Sequence, residues 1–317
     1  MGYKLAGYNV IGCVEIDGQM IKLYKQNHHP KLAYNEDVRD FLKRDDLPPE
    51  LFDLDVLDGS PPCSVFSMAG GREEGWNKEK QFREGQAEQR LDDLFFFFID
   101  IAKKLQPKVV VAENVKGLIL GNARGYVNQI VKRFDEAGYD CQLFLLNAAK
   151  MGVPQARERV FFIGRRKDLQ LPKLRLDFNE PVITFGEIRT ESGKKWKTDN
   201  LARELLKRRD PSDRCLADIS KRIRRKDAGY TQPIDVDEEP MHTIAAAGGH
   251  FRMADGMECS DMDYVRGQTF PEDYDFMDAQ PVYVCGMSVP PVMLAQLSRQ
   301  IYLQFFNKGE KRECSKK

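Results

Sequence analysis

Residues 91–115 read LDDLFFFFIDIAKKLQPKVVVAENV, and this stretch decides the fold. Its first part is an amphipathic helix, Gln106-Pro107 marks a boundary, and the apolar β-branched run from Lys108 is a buried strand. The same alternation fills the first half of the chain. YNVIGCVEI (8–16), LDVLDGSPP (54–62), QLFLLNA (142–148) and RVFFIGR (159–165) read as strands, and IKLYKQNHH (21–29) and YVNQIVKRFDEAG (126–138) as helices. Short β-branched runs between amphipathic helices imply an α/β fold, doubly wound, with a mostly parallel sheet covered on both faces.

Beyond about residue 166 the alternation fades, and charged and turn residues dominate to about 278. This divides the chain into a first domain over 1–165, a smaller one over 166–278, and a segment over 279–317 that returns to the first. Within that last segment, PVYVCGMSVPPVMLAQLSRQIYLQFF (281–306) places Val292, Leu294, Leu297, Ile301 and Phe305 on one helical face.

Forty-nine basic residues balance 49 acidic ones, so a polyanionic partner would need a locally basic face. The seven cysteines (13, 63, 141, 215, 259, 285 and 314) never form C-x-x-C, which argues against a disulfide framework and a zinc site and fits a reducing cytoplasm. The most apolar run, FFFFIDIA (95–102), is far short of the roughly 20 residues of a membrane span. No metal and no membrane are expected.

Three stretches carry chemistry. LDVLDGSPPCSVFS (54–67) sets Cys63 just past a strand's C-terminal end, where open α/β sheets place their ligands, with Pro61 and Pro62 making the approach rigid. Such a cysteine suits a nucleophile; a lone cysteine is more often a small buried hydrophobe. KVVVAENV ends in Glu113, a carboxylate suited to acid catalysis or, as readily, to capping a helix. In MGVPQARERVFFIGR (151–165) period-2 spacing puts Gln155, Arg157 and Arg159 on one strand face, as a phosphate or base-edge contact or as a solvated, salt-bridged surface.

Taken together, PPCSVFS, ENV and QARER in this order resemble the catalytic motifs of the bacterial and phage cytosine-C5 DNA methyltransferases. VEID (14–17), EDVRDF (36–41), LDDLFF (91–96), VRGQTFPEDYDF (265–276) and GMSVPP (286–291) are similar to further motifs of that family. The resemblance implies S-adenosylmethionine as methyl donor and double-stranded DNA as substrate. It implies Cys63 as the nucleophile on cytosine C6, Glu113 at N3, and Arg159 with Arg157 at the pyrimidine O2, all acting on a flipped-out base. For the cofactor it implies Glu15 and Ile16 at the ribose and Asp37 at the adenine amine. Val38, Pro61 and Leu94 would form apolar walls, and Ser288 and Val289 would close the site. The region 166–278 would be the target-recognition domain, in which the basic run 202–227, including Arg222, Arg224 and Arg225, either contacts phosphates together with Gln155 or is a solvated face balanced by its acids. The glycine-rich AAAGGHF (245–251) would be a loop close to DNA.

A monomer in the cytoplasm of a bacterium or phage-infected cell follows, with or without a separately acting restriction endonuclease. Two departures stand out. Met287 occupies a position where the family usually has Asn, with Cys285 just before the Gly, and the Phe-x-Gly-x-Gly-Gly loop is not found ahead of MGYKLAGY (1–8), which resembles the helix that follows it. The expectation is either a chain started at an internal methionine or a decayed gene, with impaired methylation. An RNA cytosine methyltransferase on the same fold and a DNA-binding relative without catalysis are the alternatives.

Overall fold

The computed structural model describes residues 1–62, 93–120, 124–195, 200–225 and 231–307. Cys63 lies outside the described residues. Helix α1 (Gly2–Leu5) is followed by strand β1 (Gly12–Val14), helix α2 (Gly18–His28), strand β2 (Leu32–Tyr34) and helix α3 (Val38–Lys43). Carboxylates start both longer helices by accepting amides that no helical carbonyl can reach. Asp17 accepts from Gln19 and Met20, and Asp37 from Arg39. β1 and β2 pair in parallel, Gly12 against Leu32 and Val14 against Tyr34, as a separate two-stranded sheet among the described residues.

The main sheet is built from β3 (Val56–Gly59), β4 (Val109–Val115), β5 (Tyr139–Asn147) and β6 (Glu158–Arg166), with α4 (Leu94–Leu105) and α5 (Arg124–Glu136) between strands. Its order is β3-β4-β6-β5. β3 and β4 are parallel, but β6 lies antiparallel to both β4 and β5. The mostly parallel sheet expected from the sequence is therefore mixed. Three strands point one way and β6 runs against them, because the ten residues 148–157 between β5 and β6 are too few for a crossover connection.

Both faces of this sheet are covered. Val110, Ala112, Val160 and Phe162 pack under Phe95 and Ile99 of α4 and Ile130 and Phe134 of α5. On the opposite face Val109, Val111, Phe161 and Ile163 meet Met293, Leu297 and Ile301 of α11 (Pro291–Ile301). Between β6 and α11 come α6 (Phe185–Ile188), α7 (Leu201–Leu206), α8 (Leu216–Arg224), β7 (Ile234–Asp235), β8 (Phe251–Arg252), α9 (Asp261–Gly267) and α10 (Pro281–Met287). They gather two small cores, one from Leu205, Leu206, Leu216, Ile219, Ile234 and Phe251, the other around Phe185, Met241, Ile244, Tyr264 and Cys285. Cys285 places α10 in the second of these, while α11 packs on the sheet. Pro290 stands between the two helices and Pro291 starts α11.

Candidate active site

The antiparallel run of β6 brings the start of that strand beside the end of β4. Val115 faces Arg159 and Glu113 faces Phe161 in register, so Glu113 and Arg159 are diagonal neighbours on one face. Long side chains span that diagonal. Arg159 Nε lies 3.0 Å from Glu113 Oε1, with only 13% and 12% of the two side chains exposed. Burial pulls the Arg159 guanidinium below its ordinary value, and the Glu113 carboxylate pushes back. Asn114 points to the other face, is buried, and donates from Nδ2 to the Pro61 carbonyl at 3.1 Å. The residue after Glu113 thus ties β4 to the Pro61-Pro62 approach that leads into Cys63.

Arg157 and Gln155 do not continue the strand face that period-2 spacing assigned to them, because β6 begins at Glu158. Arg157 is 2% exposed, and its two Nη atoms donate to the Ile244 and Gly286 carbonyls at 2.9 Å each. Burial first, and the neighbouring Arg159 second, bring its guanidinium down to about 9. Gln155, expected at a DNA surface, is fully buried. Its Oε1 accepts from Ile244 N–H at 3.0 Å, and its Nε2 donates to Gln268 Oε1 at 2.6 Å and the Gly267 carbonyl at 3.2 Å. Its amide is spent inside the protein, which corrects that expectation. Gln268 carries the chain of amides on, donating to the Ser288 carbonyl at 2.7 Å.

Of the residues expected at the cofactor, Glu15, Ile16, Asp37, Val38 and Pro61 come within a few residues of the C-terminal ends of parallel strands, while Leu94 starts α4 and Ser288 and Val289 follow α10. Glu15 comes after β1, accepts from Asp17 N–H at 2.8 Å and is half-buried, while Ile16 beside it is 42% exposed. Asn35, after β2, donates to the Glu15 and Ile16 carbonyls at 2.9 and 3.1 Å and so fixes this turn. Asp37 is engaged by the Arg39 guanidinium at 2.8 and 2.5 Å, which holds its carboxyl below the usual range. Val38 opens α3 half-buried and Leu94 opens α4 buried. Ser288 caps α10 with its hydroxyl on the Val284 carbonyl at 2.6 Å, and Val289 packs against the α11 core. Half-buried carboxylates and an exposed apolar side chain beside strand ends suit the hydroxyls and flat base of a nucleoside.

Within the basic run, Arg222 is bound to Asp213 at 2.6 Å and to the Arg208 carbonyl at 2.8 Å, whereas Arg224 and Arg225 are exposed at the end of α8. Among the described residues no three His, Cys, Asp or Glu side chains are placed to hold a metal, and no helix is long and apolar enough to cross a membrane.

The model of the C-5 cytosine-specific DNA methylase family matches residues 1–303. The chain belongs to that family. It is 37% identical over 182 residues to the type II methyltransferase M.FnuDI of Fusobacterium nucleatum, covering 57% of this chain and 47% of that protein. It is 29% identical over 297 residues to M.NgoFVII of Neisseria gonorrhoeae, covering 85% and 75%. The chain spans about half the length of the first curated relatives it matches. A crystal structure described as a DNA modification methyltransferase encoded within an E. coli prophage shares the fold, with a TM-score of 0.65 at 19% identity over 96% of this chain and 94% of that one.

In this family member, sequence reasoning missed the residues that arrange the site rather than those named for its chemistry. Asn35, Asn114 and Gln268 are carboxamides whose partners lie 20, 53 and 20 residues away. A polar residue inside a motif, as for Asn114 and Gln268, or just ahead of one, as for Asn35, was the signal, and it does not say what the side chain will meet.

Proposed function

We propose that the chain is an S-adenosylmethionine-dependent DNA cytosine-C5 methyltransferase of class I, doubly wound type. Residues 1–165 and 279–317 would make up the catalytic unit and 166–278 the target-recognition domain. The observation that carries this is the Glu113–Arg159 pair at the end of β4, joined through Asn114 to the backbone just ahead of Cys63.

Cytosine C5 is too weak a nucleophile for a sulfonium methyl, so Cys63 adds first at C6 and drives electron density to C5. Glu113 delivers a proton or hydrogen bond at N3, where charge builds during that addition. Arg159, held against Glu113, turns its remaining donors to the pyrimidine O2 and favours the Cys63 thiolate. Arg157 holds the recognition segment and α10 to this strand through Ile244 and Gly286. Glu15, Ile16, Asp37, Val38, Pro61, Leu94, Ser288 and Val289 bind the cofactor, which supplies the electrophilic methyl group. Because C6 is stacked in a duplex, the base is flipped out before any of this begins. The names of the relatives support a restriction-modification setting, and the action is cytoplasmic.

Duplex DNA carrying 5-fluorocytosine tests the assignment, since fluorine blocks loss of the C5 substituent and leaves the protein attached. With S-adenosylmethionine present, a covalent adduct is expected from the wild type and none from Cys63→Ala. Burial pushes the Cys13 thiol up to about 11 and those of Cys141 and Cys285 to about 12, so these stay protonated at neutral pH. An adduct that persists in Cys63→Ala would remove the nucleophile from this account.

A further inference from the structure

The loop joining β7 to β8 is closed by a single buried carboxylate. Asp235, 1% exposed, accepts from His242 N–H at 2.8 Å and meets the Nδ1 atoms of both His242 and His250 at 2.8 Å each. A carboxylate only accepts, so both imidazoles donate from Nδ1. His250 is sealed in, with its backbone N–H on the Tyr264 hydroxyl at 3.0 Å. His242 keeps 38% of its side chain exposed. Three charged groups face it: Asp235 of β7 and Glu239 after that strand, which pull its proton affinity up, and Arg214 ahead of α8, which opposes them.

Between the histidines runs Thr243-Ile244-Ala245-Ala246-Ala247-Gly248-Gly249. Its exposed positions are Thr243, Ala245 and Ala247, and both glycines lie at positive φ, 65° and 86°. Nothing longer than threonine stands between this backbone and a close neighbour. The loop is also fixed to the segment that leads into β6. Met241 accepts from Ala156 N–H at 2.8 Å and the Thr243 hydroxyl donates to the Ala156 carbonyl at 3.0 Å, three residues before Arg159.

We propose that this loop is a contact for the DNA backbone and that His242 grips a phosphate through a protonated Nε2. The inference rests on the DNA reading above. A neutral His242 with Nδ1–H on Asp235 leaves Nε2 an acceptor, which has nothing to offer a phosphate. Uptake of one solvent proton at His242 Nε2 offsets the Asp235 carboxylate and converts that ring nitrogen from acceptor to donor. The small-residue loop lets the phosphate come close enough to accept from it.

Equilibrium binding of the full chain to duplex DNA, followed from about pH 6 to about pH 8.5 at several salt concentrations, tests this. His242 has its folded-state proton affinity raised, so the donor is present at low pH and is lost as pH rises past the ordinary imidazole value near 6.5. Wild-type affinity is expected to fall through that window. Burial holds His28 near 4, so it stays uncharged throughout. His242→Gln should remove the step, weaken binding at low pH by roughly tenfold, and lower the salt slope by about 0.9, the share of one phosphate. His242→Lys, a permanent donor, should restore affinity at high pH without a step. A flat wild-type curve, or a step and slope kept in His242→Gln, overturns the phosphate contact while leaving the DNA reading in place. A wild type that binds no duplex DNA at any pH overturns both.

Discussion

Glu113 and Arg159 occupy the end of a buried strand pair where neither charge would rest alone. With both side chains seven-eighths covered, the guanidinium holds the carboxylate and the carboxylate offsets the desolvation of the guanidinium. Glu113→Gln keeps an oxygen for Arg159 but has no acidic proton for N3. It should retain DNA affinity, cost on the order of 2 kcal/mol of stability from the weakened pair, and lower turnover roughly a hundredfold or more. Binding, melting and methyl incorporation measured on one preparation check this, and unchanged turnover would take Glu113 out of the reaction. The identity of this pair was legible in ENV and QARER, but its contact was not. The same QARER alternation misplaced Gln155, because period-2 reasoning presumes a strand, and the strand begins only at Glu158. His242 drew no reading and His250 only one as part of AAAGGHF, since nothing local links either to Asp235.

At the scale of elements, periodicity located helices and strands well and directions poorly. Each strand's composition reports burial, and burial is alike in parallel and antiparallel ladders of a covered sheet. The available signal for the reversal of β6 was the ten-residue link from β5, and its consequence is chemical. A parallel β6 would carry Arg159 to the opposite end of β4 from Glu113. A second junction of elements, α10 against the loop at 242–249, depends on one missing side chain. A Cβ at Gly286 would stand 2.3 Å from the Ala246 nitrogen and 2.4 Å from the Ala245 carbonyl carbon, both backbone atoms that cannot swing aside. The Gly286 carbonyl is also one of the two acceptors of Arg157. Gly286→Ala should therefore destabilise the chain by about 1–3 kcal/mol, the usual cost of overpacking. It should also weaken DNA binding, because the 242–249 loop must move. Normal melting and normal binding in this variant would mean that the loop and α10 separate without cost.

Over the whole molecule 49 basic and 49 acidic residues cancel, so attraction to a polyanion has to come from where the charges sit. The sequence grouped Arg222, Arg224 and Arg225 as one basic cluster, and the structure divides them. Arg222 is committed to Asp213, an acid with 4% of its side chain exposed, and to the Arg208 carbonyl, so it fastens α8 to the turn before it. Arg224 ends that helix and Arg225 caps it, and both are exposed. If they meet phosphates, reversing both to glutamate should lower the slope of log K against log salt by about 1.8, at about 0.9 for each contact, and leave the melting temperature near that of the wild type. Arg222→Glu should do the reverse. It sets two carboxylates against each other at Asp213, so the melting temperature falls, while the salt slope changes by less than one contact. The comparison separates a charge that binds DNA from a charge that holds the fold. Equal slopes in the double variant and the wild type would show the exposed pair to be solvated surface, and would leave the proposed His242 contact to be judged on its own variants.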